Sequence, residues 1–227
     1  MYAIIVGAGE VGRYLGRELL GMGNEVLLVE KDHRICEELG DELGSVSLCG
    51  DGCEVALLAK AGIARADIFI AVTDQDDDNL AASQIAKQKF GVPQVIAKVN
   101  NPKNEHIFAK LGIDDTVDRV SLVLEHIKLL IPMFPLIRLL NLKERGLDVV
   151  LVRVAEDSSA IGKSLRDLSL PSGSVACLTI RQGQECRVPE PGTTLEAGDQ
   201  LVCLISSGSE EEVIQAIGGV SAHQRSE

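Results

Sequence analysis

The sequence predicts an α/β protein built on a doubly wound parallel sheet, with a helical crossover and a second, smaller α+β domain. Two observations carry this prediction. Short apolar runs alternate with amphipathic helical patterns over roughly the first half of the chain, which is typical of a parallel sheet with helices on both faces. From Leu147 onward the alternation gives way to short β-rich runs separated by turn signals such as Gln182-Gly183 and Gly198-Asp199.

The first half begins with a strand, a glycine-rich turn, a helix and a second strand. The apolar strand Ala3 to Val6 leads into the turn GAGEVG, the helix that follows has apolar residues at helical spacing, and the second strand ends at Glu30. The same alternation then repeats. Further strands are predicted at residues 45–49, 67–72, 95–99 and 115–117, with helices at residues 32–43, 55–62, 80–85 and 101–112.

The glycine-rich turn has the composition of a dinucleotide-binding site. Gly7 permits a tight turn, Gly9 lets the backbone approach a pyrophosphate, and Gly12 allows the helix to pack closely on the strand. The phosphates would sit at the helix N-terminus, where free N–H groups favour negative charge. Glu30 is placed to accept hydrogen bonds from the adenosine ribose, and its charge would repel a 2′-phosphate. The sequence therefore predicts a Rossmann-like domain that binds NAD or another adenine nucleotide rather than NADP.

An apolar stretch, Leu122 to Leu140, separates the two halves. Charged residues and prolines interrupt it, so it does not fit a membrane span. It is either a buried, proline-broken pair of helices or a helical crossover that packs on another subunit. In the second half, helices are predicted at residues 161–168 and 210–217 among strands at residues 149–154, 175–180, 186–188 and 201–205. The predicted domains are residues 1–118, 119–143 and 144–220.

Composition excludes some classes of partner and location. The chain has 22 basic and 34 acidic residues, a net charge of −12, which would repel nucleic acid and anionic lipid. The first strand begins at residue 2 and leaves no room for a signal peptide, so we expect a cytoplasmic protein. The cysteines form no CxxC pair, and we expect free, buried thiols rather than a redox or metal site.

Motifs spread along the chain resemble those of a known family. Besides GAGEVG, they include Gly50-Asp51-Gly52, Ala71-Val72-Thr73-Asp74, Val99-Asn100-Asn101-Pro102 and Leu195-Glu196-Ala197-Gly198-Asp199. Together they resemble the N- and C-terminal domains of RCK proteins, the regulators of K⁺ conductance, and above all the TrkA-type subunits of potassium uptake systems. The resemblance covers about residues 1 to 206. It implies a cytoplasmic, non-enzymatic nucleotide sensor that forms homodimers and then tetramers or larger rings, and that acts on a membrane potassium transporter or channel.

The resemblance also implies a set of ligand-binding residues at the ends of the predicted strands. Thr73 and Asp74 are either ligand contacts or helix-capping groups, and Lys98 either meets a phosphate or is solvated. A family Thr or Ser often stands where Cys53 does, which puts a hydroxyl contact there in doubt. The full set is Gly7, Gly9, Glu10, Val11, Gly12, Glu30, Lys31, Asp51, Cys53, Thr73, Asp74 and Lys98.

Two acidic features bear on ligand identity. Several ATP-responsive members carry Arg where this chain has Glu10, and a carboxylate beside a γ-phosphate is repulsive, so we expect NAD(H), ADP or AMP rather than ATP. The run Asp74, Asp76, Asp77 and Asp78 is compatible with a cation site, but it lacks the spacing of an EF-hand. A negatively charged helix start explains it more simply.

Two other functions remain open from the sequence. One is an NAD-dependent oxidoreductase, although the roughly 80 residues of the second domain are few for a substrate domain and the four histidines show no catalytic pairing. The other is a regulator of a cation/proton antiporter, which the sequence does not distinguish from a regulator of potassium uptake.

Overall fold

The computed structural model describes residues 1–43, 46–113, 115–131, 133–142 and 145–218. The chain divides into two compact units, Met1–Leu122 and Val123–Glu227, which are described separately. Among the residues that the structure describes, none of the helices combines the length and the apolar character that a bilayer span requires.

The first unit is built on a parallel sheet, as the sequence predicts. Within the described residues its six strands lie in the order β3-β2-β1-β4-β5-β6, and all the pairings are parallel. The order reverses between β1 and β4, the position at which open α/β sheets bind ligands. The strands are β1 Tyr2–Val6, β2 Glu25–Glu30, β3 Ser47–Cys49, β4 Ile68–Ala71, β5 Gln94–Val99 and β6 Asp115–Asp118.

Helices cover both faces of this sheet. Alternate residues of β1 point to opposite faces, so Ile4 and Val6 belong to one apolar core while Ala3 and Ile5 belong to the other. The central strands β1 and β4 are buried on both faces, which is why they are nearly continuous apolar runs. The helices are α1 Glu10–Gly21, α2 His33–Leu43, α3 Val55–Lys60, α4 Asp76–Gln84 with a π-helical turn Ile85–Lys89, and α5 Glu105–Lys110. Helix α6, Arg119–Leu130, follows β6.

The second unit contains an antiparallel sheet. Its four strands within the described residues lie in the order β7-β8-β10-β9, namely β7 Leu136–Leu142, β8 Leu147–Arg153, β9 Val175–Ile180 and β10 Gln200–Ser206. Helix α7, Glu210–Val213, continues as a π-helical turn Ile214–Gly218. Val150, Leu201 and Ile217 are among the buried residues of its core. The predicted fold class, a Rossmann-like parallel sheet with a smaller α+β domain, is confirmed.

Three sequence predictions in the second half are wrong. The apolar stretch is not a pair of helices, because its second half is strand β7, which pairs with β8. The segment Ile161 to Leu168 is a series of turns with one short 3-10 helix, Leu165–Asp167. The run Cys186 to Val188 contributes a single isolated bridge, between Thr179 and Arg187. In the first two cases pairing with other segments, β7 with β8 and Ser164 with Thr194, overrides the local pattern.

Candidate nucleotide-binding site

A cavity of about 320 Å³ opens at the carboxyl ends of strands β1, β2, β3 and β4. This is the edge of the sheet at which the strand order reverses. Polar groups and glycines from four loops line it, together with four apolar side chains. The lining residues are Val6, Gly7, Gly9, Val29, Glu30, Lys31, Asp32, Ile35, Gly50, Asp51, Gly52, Cys53, Val72, Thr73, Asp74, Gln75 and Asp78.

The three glycines of the turn have different physical roles. Gly7 has φ +98°, and a Cβ there would lie 2.8 Å from the Thr73 nitrogen. This position therefore requires glycine for two reasons, its backbone conformation and the lack of space for a side chain. A Cβ on Gly12 would lie 1.9 Å from the Gly7 carbonyl oxygen, which shows how closely α1 packs on the turn. A Cβ on Gly9 would meet nothing within 4 Å, because Gly9 faces the cavity at the N-terminus of α1.

Glu30 ties the second strand to the glycine turn. Its Oε2 accepts a hydrogen bond from the Ala8 nitrogen at 2.7 Å, and its Oε1 accepts from Lys31 N at 2.8 Å and Asp32 N at 3.0 Å. These bonds use three of the about four lone-pair positions of a carboxylate. The carboxylate is therefore held in one orientation at the cavity wall, with acceptor capacity left for a ligand hydroxyl.

The loop after β3 forms the next part of the wall. The Asp51 carboxylate accepts a hydrogen bond from Cys53 N at 2.8 Å, and a Cβ on Gly52 would lie 2.3 Å from Val6 Cγ1. The Cys53 sulfur lies 3.5 Å from the Asp78 carbonyl oxygen. Burial and the nearby Asp51 and Asp78 carboxylates raise the pKa of Cys53 to about 11, so this thiol is neutral at pH 7.

Thr73 belongs to a network of hydrogen bonds centred on Asn79. The Asn79 side chain is fully buried, accepts from Thr73 N at 2.8 Å, and donates to the carbonyl oxygens of Thr73 and Lys98 at 3.0 and 2.9 Å. The Thr73 hydroxyl lies 2.8 Å from Asn79 Oδ1 and 3.0 Å from the Gln75 carbonyl oxygen. Thr73 therefore both caps this loop and lines the cavity, so the two interpretations of this residue are compatible.

Three aspartates of the run, Asp74, Asp76 and Asp78, have partners within the protein. Asp76 accepts hydrogen bonds from Asn100, Asn101 and Asn104 at 2.6 to 3.0 Å, and Asp78 pairs with Lys31 at 2.6 Å. The described residues include no group of His, Cys, Asp and Glu side chains placed to hold a metal ion. These contacts favour a structural role for the run over a cation site.

Lys98 is neither solvated nor open to the cavity. Its side chain is only 7% exposed, and Nζ lies 2.9 Å from Asp74 Oδ1, whose side chain is 84% exposed. The hydrogen bond from Lys98 holds the pKa of Asp74 below its ordinary value. The expectation of a solvated lysine is therefore wrong.

The cysteines also differ from expectation. Cys36 and Cys49 form a disulfide, Cys177 and Cys186 are exposed, and Cys203 is buried. The prediction of free, buried thiols is wrong for the first four. For Cys36 and Cys49 the cause is that β2 pairs with β3, which places Cys49 beside the helix that carries Cys36.

Comparison with known proteins follows the same division of the chain. The family model of the TrkA-N domain matches residues 3–118, and that of the TrkA-C domain matches residues 149–218. The chain belongs to the TrkA family. The resemblance to RCK and TrkA-type proteins that the sequence motifs indicate is thereby confirmed.

Curated relatives of this TrkA-family chain match along nearly its whole length. The Trk system potassium uptake protein TrkA of Mycobacterium tuberculosis is 32% identical over 216 residues, covering 94% of this chain and 96% of the relative. The TrkA homolog of Methanothermobacter thermautotrophicus is 29% identical over 219 residues, covering 96% of this chain and 100% of the relative.

Solved structures share the fold at lower identity. The GsuK channel bound to NAD has a TM-score of 0.62 at 19% identity, covering 97% of this chain and 40% of that chain. The TrkA-N domain of the inner membrane protein ybaL from Escherichia coli has a TM-score of 0.53 at 20% identity, covering 57% of this chain and 96% of that one. The TrkA-family chain thus spans about 40% of the length of the GsuK channel. At these identities the likeness concerns the fold.

The cavity gathers most of the sequence-predicted ligand set but not all of it. The predicted residues that line it are Gly7, Gly9, Glu30, Lys31, Asp51, Cys53, Thr73 and Asp74; Glu10, Val11, Gly12 and Lys98 do not. Glu10 and Val11 are exposed on α1, and Gly12 is buried against the turn. Sequence reasoning assigned no role to Asn79. Its role is revealed by its burial and by its hydrogen bonds to Thr73 and Lys98, at the ends of two strands. Ligand binding by any of these residues stays a prediction.

Proposed function

We propose that this chain is a cytoplasmic regulatory subunit of a membrane potassium transporter or channel, and that it binds NAD(H) or another adenine nucleotide in the cavity. One observation carries the proposal: the cavity lies at the strand-order reversal of a TrkA-N domain, with the N-terminus of α1 and the fixed carboxylate of Glu30 on its wall. Its relatives are named as Trk potassium uptake proteins, and similar solved folds are named as bound to NAD and to ADP.

The lining residues suggest where each part of the nucleotide binds. The pyrophosphate fits over Gly9, where the backbone is open to the cavity and the N–H groups of α1 face it. Glu30 accepts from the adenosine ribose, and the loop Gly50-Asp51-Gly52 lies on the adenine side. This arrangement uses the free side of Glu30 and leaves its bond to Ala8 intact.

The charge of the wall favours ligands with few phosphates. Glu30, Asp32, Asp51, Asp74 and Asp78 all line the cavity, and the lining cation Lys31 is paired with Asp78. Lys98 lies behind the wall and is paired with Asp74. Because uncompensated carboxylates repel phosphate, ATP should bind more weakly than NAD(H), ADP or AMP.

We also propose that the chain does not turn over its ligand. Hydride transfer needs an acid or base beside the nicotinamide. Three candidate groups at the cavity are not free for this role: Glu30 accepts hydrogen bonds from backbone N–H groups, Asp74 is paired with Lys98, and the Cys53 thiol is neutral at pH 7.

Calorimetry with NADH, ADP and ATP tests the ligand. We expect NADH and ADP to bind and to compete for one site per chain, with ATP weaker than either. Absorbance of NADH should stay constant during a screen of oxidised substrates. Failure of all three nucleotides to bind would refute the binding proposal, and steady NADH consumption with any substrate would favour the oxidoreductase.

The exposed face of α6 supports assembly into dimers and larger rings. Val123, Ile127 and Leu130 follow one another at helical spacing and are 46 to 79% exposed, and Leu124 lies beside them at 48%. Monomeric proteins rarely leave such a contiguous apolar face open to solvent. We propose that a second copy of this chain covers it, in line with the homo-oligomer that the resemblance implies.

Light scattering on the purified chain tests the assembly. The wild type should be a dimer or tetramer at micromolar concentration, and Ile127→Glu with Leu130→Glu should lower the mass to that of smaller species. Met22→Glu is the matched control, since Met22 is 68% exposed but lies outside α6. A stable wild-type monomer, or equal dissociation by the control, would refute the interface.

The partner is tested by copurification from membranes that contain the candidate potassium transporter. The transporter should be retained by the wild-type chain, and NADH or ADP should change the flux of potassium through the reconstituted complex. Copurification of the chain with a cation/proton antiporter instead would favour the alternative function, regulation of that antiporter.

A further inference from the structure

A pair of cysteines lies directly behind the adenosine side of the cavity. Cys36 is in the first turns of α2 and Cys49 is the last residue of β3, and both side chains are half-buried. Their Cα atoms are 5.7 Å apart and their sulfur atoms form a disulfide. This Cα separation is within the range that a disulfide spans without backbone movement, so the same fold accommodates the paired and the reduced forms.

The proposed cytoplasmic location makes this pair unusual. Thiols are kept reduced in most cytosolic proteins, and the disulfides that do form there are mainly catalytic or redox-sensing. A cysteine pair whose Cα separation permits a disulfide without backbone movement, in a compartment whose thiols can reduce such a bond, is a candidate for reversible modification.

His33 is placed to assist the chemistry. Its Nδ1 lies 3.3 Å from Cys49 Sγ, and its side chain is exposed at the start of α2. An imidazole at this distance can accept the thiol proton and leave the thiolate, which is the nucleophile in thiol–disulfide exchange. In the reaction, Cys49 thiolate attacks glutathione disulfide and releases one glutathione. Cys36 then attacks the Cys49 sulfur of the mixed disulfide and releases the second. Two protein thiols are oxidised and one glutathione disulfide is reduced to two thiols.

The same two cysteines contact the groups that shape the cavity. In the pairing of β2 with β3, Glu30 lies opposite Cys49, and Gly50 N donates to the Glu30 carbonyl oxygen at 2.7 Å. Cys36 Sγ lies 3.2 Å from that same carbonyl oxygen, and the neighbouring Ile35 lines the cavity. The disulfide therefore joins the helix that follows Glu30 to the strand that precedes the Gly50-Asp51-Gly52 loop. Both ends of the bond adjoin the adenosine wall.

We propose that Cys36 and Cys49 form a reversible thiol–disulfide modification site, oxidised by low-molecular-weight disulfides, whose oxidised form binds adenine nucleotides more tightly. The physical reason is that the disulfide fixes the position of α2 against β3 before the ligand arrives, so less ordering remains for binding to supply. The coupling rests on the proposed nucleotide site. Since linkage is reciprocal, nucleotide must stabilise the disulfide by the same factor.

The experiment is a titration of the full-length chain in glutathione redox buffers, with thiol trapping and mass measurement, in the absence and presence of saturating NADH. We expect a Cys36–Cys49 bond to form reversibly and NADH to bind at least about fivefold more tightly to the oxidised chain. A fivefold ratio corresponds to a fall of about 21 mV in the midpoint potential when NADH is present. Calorimetry on the oxidised and reduced chains must give the same factor.

Variants separate the pair from other thiols. Cys36→Ser and Cys49→Ser should bind NADH like the reduced wild type at every redox poise, whereas Cys177→Ser, which removes an exposed thiol of the second unit, should behave like the wild type. His33→Ala should slow oxidation about tenfold or more without moving the midpoint, and Arg34→Ala next to it should not.

The outcomes distinguish this site from the proposed function. A chain that binds NADH equally in both forms, with no shift in midpoint, overturns the coupling. A chain whose pair never closes, or closes only irreversibly, overturns the modification site. If NADH binds neither form, the proposed function fails, and the titration without nucleotide still decides whether the modification site exists.

Discussion

Replacement of Glu30 is the sharpest test of the candidate site. Glu30→Ala removes the carboxylate that we place on the adenosine ribose. Loss of hydrogen bonds to a charged group costs about 1.5–3 kcal/mol, so NADH affinity should fall roughly 10- to 150-fold. The same substitution leaves the N–H of Ala8, a fully buried residue, without its acceptor at 2.7 Å. Because a buried donor left without an acceptor costs about 1–3 kcal/mol, the free energy of unfolding should fall by about that amount.

The other end of the same strand supplies the control. Glu25 begins β2 as Glu30 ends it, and its carboxylate pairs with Arg65 on the surface, away from the cavity. Glu25→Ala makes the identical change in composition and net charge but should leave NADH affinity unchanged. Calorimetry and urea denaturation of both variants give the two quantities. Unchanged affinity in a folded Glu30→Ala, or equal weakening by Glu25→Ala, would refute the assignment.

Charge at this position also bears on the choice between NADH and NADPH. Glu30→Gln keeps the length of the side chain but removes the charge that opposes a 2′-phosphate. One unit of charge at about 4 Å in water is worth about 1 kcal/mol, so the ratio of NADPH to NADH affinity should rise at least about fivefold. An unchanged ratio would show that the Glu30 charge does not exclude the 2′-phosphate.

Three further predictions concern the framework of the site. Gly12→Ala should lower the free energy of unfolding by about 1–3 kcal/mol in urea, since its Cβ would lie 1.9 Å from a backbone oxygen, whereas Gly21→Ala on the same helix should be harmless. Burial alone would raise the pKa of Asp76, but hydrogen bonds from three asparagines hold it below its ordinary value. These bonds should stabilise the protein fully above about pH 4, and their contribution should be lost as the pH falls through the lower pKa of the folded state. Asp76→Ala lacks this contribution, so its urea midpoint should vary less with pH than that of the wild type. Asp74→Ala should destabilise the protein more than Lys98→Met, because only the first leaves a buried ammonium without its partner, and equal urea midpoints would contradict this.

Most of the first unit could be predicted because its signals are local. A buried parallel strand is a continuous apolar run, and the glycines that end it are required by the backbone, as at Gly7. The helix boundaries are harder to predict: helix α4 begins at Asp76, whereas the sequence predicts a helix from residue 80, its first apolar residue. The second unit depends more on distant pairing. The leucine-rich segment Leu136–Leu142 has no local feature that separates a strand from a helix, and its pairing with β8 decides the matter.

The sequence predicts that the site lies at the ends of the strands. It does not predict which partners the side chains there have. The position of Lys98 near the end of β5 predicts a lysine that is solvated or meets a phosphate. In the structure its ammonium group instead pairs with Asp74, which comes from a different loop. The pairing of Cys36 with Cys49 required knowledge that β3 lies beside β2. Such contacts depend on strand order, which no local sequence pattern specifies.

Steric contact and hydrogen bonds link the glycine turn to the ends of β4 and β5. The glycine turn approaches Thr73 so closely that a Cβ on Gly7 has no room, and Thr73 is held by Asn79, which also bonds to the carbonyl oxygen of Lys98 at the end of β5. Each of these groups has its partner within the protein. The shape of the wall at the turn and at β4 is therefore determined by contacts within the protein. If different nucleotides produce different responses, the difference must come from elements whose position is less fully determined. The wall formed by α2 and β3 is the candidate, because there a bond that can open and close sets the geometry.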